Sequence, residues 1–285
     1  MKGWVNNVKK NRFEIDMCNG SIMDKLISFS LPLMVSGILQ LAFNAVDIIV
    51  VGRFSGSQAL AAVGSTTALI NVFTNLFIGI SLGANVLAAR FYAAGKDREM
   101  SETVHTSITL ALISGITMAV IGVLLAKWAL EIMGTPDDVI GQSALYMRIY
   151  FMGMPFFMLY NYGAAILRAI GDTKRPLIFL IISGIANAAL NMTLVIIFHM
   201  GVAGVAIGTI ISQLISCVLV LTCLYRSEGS YQLRFSKLKI NGAYMEQIFQ
   251  VGVPAGIQST VINLSNALLQ SSVNSFGSIA MAGYT

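Results

Sequence analysis

The sequence predicts an all-α protein that crosses a membrane several times, and three observations carry that prediction. Of 285 residues, 56% are hydrophobic and 11% charged, whereas a soluble domain carries about 25% charged residues. The apolar residues gather into seven stretches, roughly 26–51, 59–89, 104–130, 139–170, 176–199, 202–224 and 248–273. At about 1.5 Å per residue, each can cross about 30 Å of hydrocarbon. The basic residues alternate between connections. Fifteen lie in the N-terminal tail and in the connections after stretches two, four and six. Only Arg53 and Lys127 lie on the other side, and Arg148 lies inside a stretch. An excess of Lys and Arg stays on the cytoplasmic face, so the expectation is a multi-pass protein of the cell membrane with its N-terminus in the cytoplasm.

The first stretch reads LISFSLPLMVSGILQLAFNAVDIIVV and holds one charge, Asp47. Ser36, Gln40, Asn44 and Asp47 step by four, four and three, so they share one helical face. A carboxylate at the centre of a span costs about 2.5–3.5 kcal/mol on insertion scales. A functional role for Asp47 is therefore the expectation, the alternative being a side chain that reaches the headgroups.

The second stretch carries Thr67, Asn71, Thr74 and Asn75 on one side. The fourth holds Pro155 midway, and a proline there removes a backbone hydrogen bond and predicts a kink. It also places Arg148, Tyr150, Met154 and Asn161 near one another. Arg148 either lines a cavity or reaches outward along its own stem. The Met and aromatic side chains around it either receive apolar substrates or simply pack. The fifth stretch carries Ser183, Asn187 and Asn191, and the sixth Thr209, Ser212, Gln213 and Ser216. Buried amides and hydroxyls need partners in hydrocarbon. Interhelical contact at about 0.6 kcal/mol each is one reading. Four stripes, one ending in a carboxylate, favour a hydrated cavity or a cation site. Gln40, Asn44, Asn71, Asn75, Arg148, Tyr150, Met154 and Asn161 are its candidate lining. Gly79-x-x-x-Gly83 and Gly204-x-x-x-Gly208 predict close helix approach.

An internal repeat opens the last stretch. Pro32 aligns with Pro254, Asn44 with Asn266, Ala45 with Ala267 and Phe54 with Phe276, all 222 residues apart. Six stretches separate the copies, so both run in the same direction, a parallel repeat. Leu269 stands where the first copy has Asp47. The chain divides into a tail over 1–25, a six-helix bundle over 26–224, a linker over 225–244 and the start of a second bundle over 245–285.

No HExxH, GxSxG, Walker or CxxC motif occurs, so no enzyme activity, cofactor or direct use of ATP is expected, nor a nucleic-acid partner. Cys18, Cys217 and Cys223 have neither metal-ligand nor disulfide spacing. His105 and His199 read as boundary residues.

AVDIIVVGRFSGSQALAAVG from Ala45, LRAIGDTKRP from Leu167 and GVAGVAIGTIISQ from Gly201 resemble the multidrug and toxic compound extrusion (MATE) transporters, and most closely their DinF-like branch. The resemblance implies two six-helix bundles, twelve helices in all, around a cleft. It implies export of cationic or amphipathic compounds in exchange for H⁺ or Na⁺ in a lipid membrane. It also implies a coupling site at Asp47, Asn187, Asn191 and Thr209. The sequence departs from that pattern at Asn191, where the branch has aspartate, leaving one carboxylate that can still carry a proton. A twelve-helix fold makes a fragment lacking its C-terminal half the expectation here. The alternatives are a lipid-linked saccharide flippase of the same superfamily, and a truncated bundle that binds a partner without transporting.

Overall fold

The computed structural model describes residue 15 and residues 21–284. Most of the predicted tail, with Lys2, Lys9, Lys10, Arg12 and Cys18, lies outside the described residues, as does Thr285. Every regular element among the described residues is helical. The order is α1 (Ile22–Phe54), α2 (Ser57–Ala93), α3 (Asp97–Ile132), α4 (Asp137–Met152), α5 (Met154–Ala169), α6 (Lys174–Met192), α7 (Gly201–Arg226), α8 (Gly242–Asn274) and α9 (Ser278–Tyr284). A π-helical turn, Thr193–Ile197, continues α6, and a 3₁₀ turn, Phe235–Lys237, lies in the linker before α8.

Five of these helices are long and apolar enough to cross a membrane: α1, α2, α3, α6 with its π turn, and α7. The 139–170 stretch differs from expectation. It forms two helices of 16 residues each, α4 and α5. Pro155 has no N–H to donate and its ring crowds the preceding turn. The Phe156 and Phe157 N–H groups instead bond the Gly153 carbonyl at 3.1 and 3.2 Å. The two pieces lie one after the other along α3. Gly122 of α3 leaves room for the Phe151 ring, and Gly115 for the Pro155 backbone. The seventh stretch becomes α8, which at 33 residues is long enough but less apolar than the five.

The core forms where α2, α3, α4, α5 and α7 meet. Phe151, Met147, Met154, Met158, Leu130 and Tyr162 are fully or almost fully buried there. The predicted close approach at Gly79 and Gly83 occurs, and its partner is α8. A Cβ on Gly79 would overlap the Gly256 backbone, and one on Gly83 the Ile248 carbonyl. Gly252 and Gly256 of α8 are in turn pressed against Ile80 and Leu76 of α2.

The repeat is visible in backbone geometry. α1 and α8 both span 33 residues and both contain an interior proline. Each is followed by a glycine with the same positive φ, 89° at Gly56 and at Gly277. A side chain is strained in that region, so both turns call for glycine. Ser57 and Ser278 then open α2 and α9.

Candidate functional site

Four polar residues predicted from three different stretches converge between α1, α6 and α7. Asn191 is fully buried, and its Nδ2 donates to Oδ1 of Asp47. The same Nδ2 reaches Asn187 Oδ1 at 3.4 Å, one turn back along α6. Asn187 Nδ2 in turn donates to Thr209 Oγ1 of α7 at 3.5 Å. The i, i+4 spacing of Asn187 and Asn191 puts both amides on the α6 face that meets α1 and α7. The Thr209 hydroxyl also donates to its own helix, to the Val205 carbonyl at 2.9 Å, leaving its lone pairs for Asn187. One carboxylate, two carboxamides and a hydroxyl thus form a chain about one helical turn deep. Tyr146 is buried and Tyr150 half-buried on α4, with their ring centroids 6.1 Å apart.

Small residues make the approach possible. Gly208 of α7 sits against the Asn191 carboxamide, and a Cβ there would collide with Asn191 Oδ1. This glycine was read from the sequence only as half of a close-packing pair, and its role here is to leave space for a site residue. Gly184 of α6 accepts the Phe43 ring of α1 in the same way. The fully buried Asn191 Oδ1 has no hydrogen-bond partner among the described residues. It faces Gly208 of α7 while Nδ2 faces the carboxylate, and oxygen donors of this kind suit a hard cation or a proton.

The other candidates do not join this group. Asn75 donates to the Asn71 carbonyl at 2.6 Å and Asn161 to the Phe157 carbonyl at 2.8 Å. Thr67 bonds the Val63 carbonyl at 3.1 Å, and Thr74 bonds Ile70 at 2.8 Å. Each is satisfied on its own helix by i−4 bonding. Ser36 likewise bonds the Pro32 carbonyl at 2.8 Å. Gln40 and Asn44 are exposed on α1, and Arg148 is exposed on α4. Met154 is fully buried as packing against its neighbours, so it lines no open cavity in this structure.

A bundle of apolar spans with one carboxylate–amide cluster between three of its helices is the architecture of a membrane-embedded helical protein. The family model MatE matches residues 32–193, more than half the chain and inclusive of Asp47, Asn187 and Asn191. The chain belongs to the MATE family. It is 33% identical over 273 residues to the probable multidrug resistance protein YoeA of Bacillus subtilis strain 168, a match covering 93% of this chain and 58% of YoeA. It is 23% identical over 267 residues to the multidrug export protein MepA of Staphylococcus aureus strain MRSA252, covering 92% of this chain and 58% of MepA. The chain therefore spans about three fifths of the length of these relatives.

Among solved structures, an inward-facing multidrug resistance MATE family transporter of the MOP superfamily superposes with a TM-score of 0.80 at 21% identity. That match covers 91% of this chain and 59% of the other. The outward-facing form gives a TM-score of 0.80 at 21% identity, covering 87% and 55%. Both establish the fold.

Proposed function

We propose that this chain carries the ion-coupling bundle of a secondary active exporter. That exporter moves cationic or amphipathic compounds out of the cell against inward flow of H⁺ or Na⁺. Asp47 is its coupling carboxylate, and Asn187, Asn191 and Thr209 are the groups that gather around it. The observation that carries the reading is the Asp47–Asn191 contact inside an otherwise apolar set of helices, continued through Asn187 to Thr209. Multidrug export in the named relatives supports the substrate class.

In this reading the site is that of the DinF-like branch, and its single acid among neutral amides favours H⁺ over Na⁺. The basic connections support a cytoplasmic N-terminus. The parallel repeat supports a transport unit with a second bundle, in which α8 is the counterpart of α1 and the two bundles rock about the cleft between them.

The test is expression of a full-length version, with both bundles, in a drug-sensitised host. Asp47→Asn should abolish resistance and ethidium efflux while membrane abundance stays near that of the parent. Efflux retained at the parental rate in that variant would remove Asp47 from the coupling role.

A further inference from the structure

The connection between α7 and α8 is built onto the start of α3, and the two line a half-open cavity of ≈ 820 Å³. Four contacts hold it there. The Asn241 N–H donates to Thr106 Oγ1 at 3.2 Å, and Thr106 donates to the Lys239 carbonyl at 3.4 Å. Asn241 Nδ2 reaches Glu102 Oε2 at 2.7 Å. The Arg234 N–H donates to His105 Nε2 at 3.1 Å, and the other ring nitrogen of His105 lies 2.6 Å from the Ser101 carbonyl. His105 is thereby held as the tautomer with its proton on Nδ1.

The charges in this cavity do not cancel. Glu102 is the one acid on its wall, and it already pairs with Arg98 at 3.1 Å. Lys237 and Lys239 also line the wall, and neither meets a carboxylate among the described residues. The pinned linker thus sets two lysines, without an acidic partner among the described residues, on the wall of one half-open volume that Ser101 also lines.

Two further features say what kind of anion fits. Tyr225 at the end of α7 and Phe235 in the linker stack with centroids 5.8 Å apart at 27°, and both are more than half exposed. Exposed aromatic rings at the end of an apolar span mark the headgroup level of a bilayer. The volume is also much larger than a small inorganic ion needs, since a water molecule takes about 30 Å³ of liquid.

We propose that this pocket binds the phosphate-bearing headgroup of an anionic phospholipid from the leaflet on its side of the membrane. Lys237 and Lys239 neutralise the phosphodiester, and Ser101 is within the same wall to donate to it. The Tyr225–Phe235 pair lies against the lipid glycerol region. A lipid held here bridges α3 to the residues that start α8, so leaflet composition acts on the seating of the second repeat. The inference rests on the membrane-spanning character of the bundle and is independent of whether Asp47 couples transport.

The test uses the purified chain in detergent, with thermal unfolding followed while short-chain phosphatidylglycerol, phosphatidylcholine or inorganic phosphate is added. Phosphatidylglycerol should raise the unfolding midpoint saturably, and the other two should leave it unchanged. The double variant Lys237→Ala/Lys239→Ala should melt as the parent does without lipid and bind phosphatidylglycerol about 30-fold more weakly, from roughly 1 kcal/mol for each basic residue near anionic lipid. Lys127→Ala, at the opposite end of the bundle, should bind as the parent does. The proposal fails if phosphatidylglycerol gives no shift, if the double variant keeps the parental affinity, or if inorganic phosphate gives the same shift as the lipid.

Discussion

α1 and α8 are two copies of one helix, and they are held by opposite means. Only 11% of the apolar window of α1 is buried, against 44% for α2. Its attachments to α6 include a ring on a glycine, Phe43 on Gly184, and the Asp47–Asn191 hydrogen bond. α8 lies backbone to backbone on α2 through Gly79, Gly83, Gly252 and Gly256. In the register of the repeat, Gly252 and Gly256 correspond to Ser30 and Met34 of α1, and Met34 is 64% exposed. Asp47 corresponds to Leu269, which is 56% exposed. One copy has kept the acid and little packing, and the other has the packing and no acid. A helix seated in part by an ionisable contact can change its seat when that contact changes charge. A helix seated by interlocking backbones cannot do so without losing van der Waals contact along its length.

The largest expected effect breaks the α8 side. Gly256→Leu places a side chain where the α2 backbone already is, and overpacking of this kind costs about 3 kcal/mol or more. Gly37→Leu is the same change at a glycine of α1, where nothing lies within 4 Å, and it should stay within about 0.5 kcal/mol. Unfolding in detergent, read by thiol exposure at the buried Cys217, measures both. Equal losses in the two variants would show that the two helices are seated alike.

Next in size is Leu269→Asp, which gives α8 the acid it lacks at a position with no amide partner. It should cost about 2.5–3.5 kcal/mol. Smaller again is Gly184→Ala, which pushes the Phe43 ring off α6. It should cost about 1–2 kcal/mol and raise hydrogen exchange along α1 while leaving α8 unchanged. A rise shared equally by both helices would count against independent seating.

These differences were only partly legible in the sequence. The step of four between Asn187 and Asn191, with the resemblance at Asp47 and Thr209, named the four residues that the fold brings together. Asn75, one turn on from Asn71, has equally regular spacing, yet it and Asn161 close on carbonyls of their own helices. Helical periodicity says which face an amide occupies and not whether it closes on its own carbonyl or on a neighbour. The 139–170 stretch read as one span because apolar composition does not register how completely Gly153 and Pro155 interrupt the hydrogen-bond ladder. The contacts of Asn241 with Thr106 and Glu102 cross more than 130 residues, and no local pattern encodes them.

The sharpest test on the α1 side is Asn191→Asp, whose effect is read through its dependence on sodium. Asn191 Nδ2 now donates to Asp47, so the carboxylate keeps a neutral partner. An aspartate there replaces a donor with a second acid in direct contact with the first. Two adjacent carboxylates disfavour joint ionisation unless a cation or a shared proton sits between them. The variant should therefore be less stable than the parent in sodium-free buffer at neutral pH and should recover as Na⁺ is added. A ligand that binds only the folded state at 100 times its dissociation constant contributes about 2.7 kcal/mol. The parent, with one acid and neutral amides, should show a smaller sodium response. Unfolding midpoints measured against NaCl, with choline chloride at matched ionic strength, separate ion binding from screening. An identical sodium response in parent and variant would mean that Asn191 does not set the ion preference of the α1 contact.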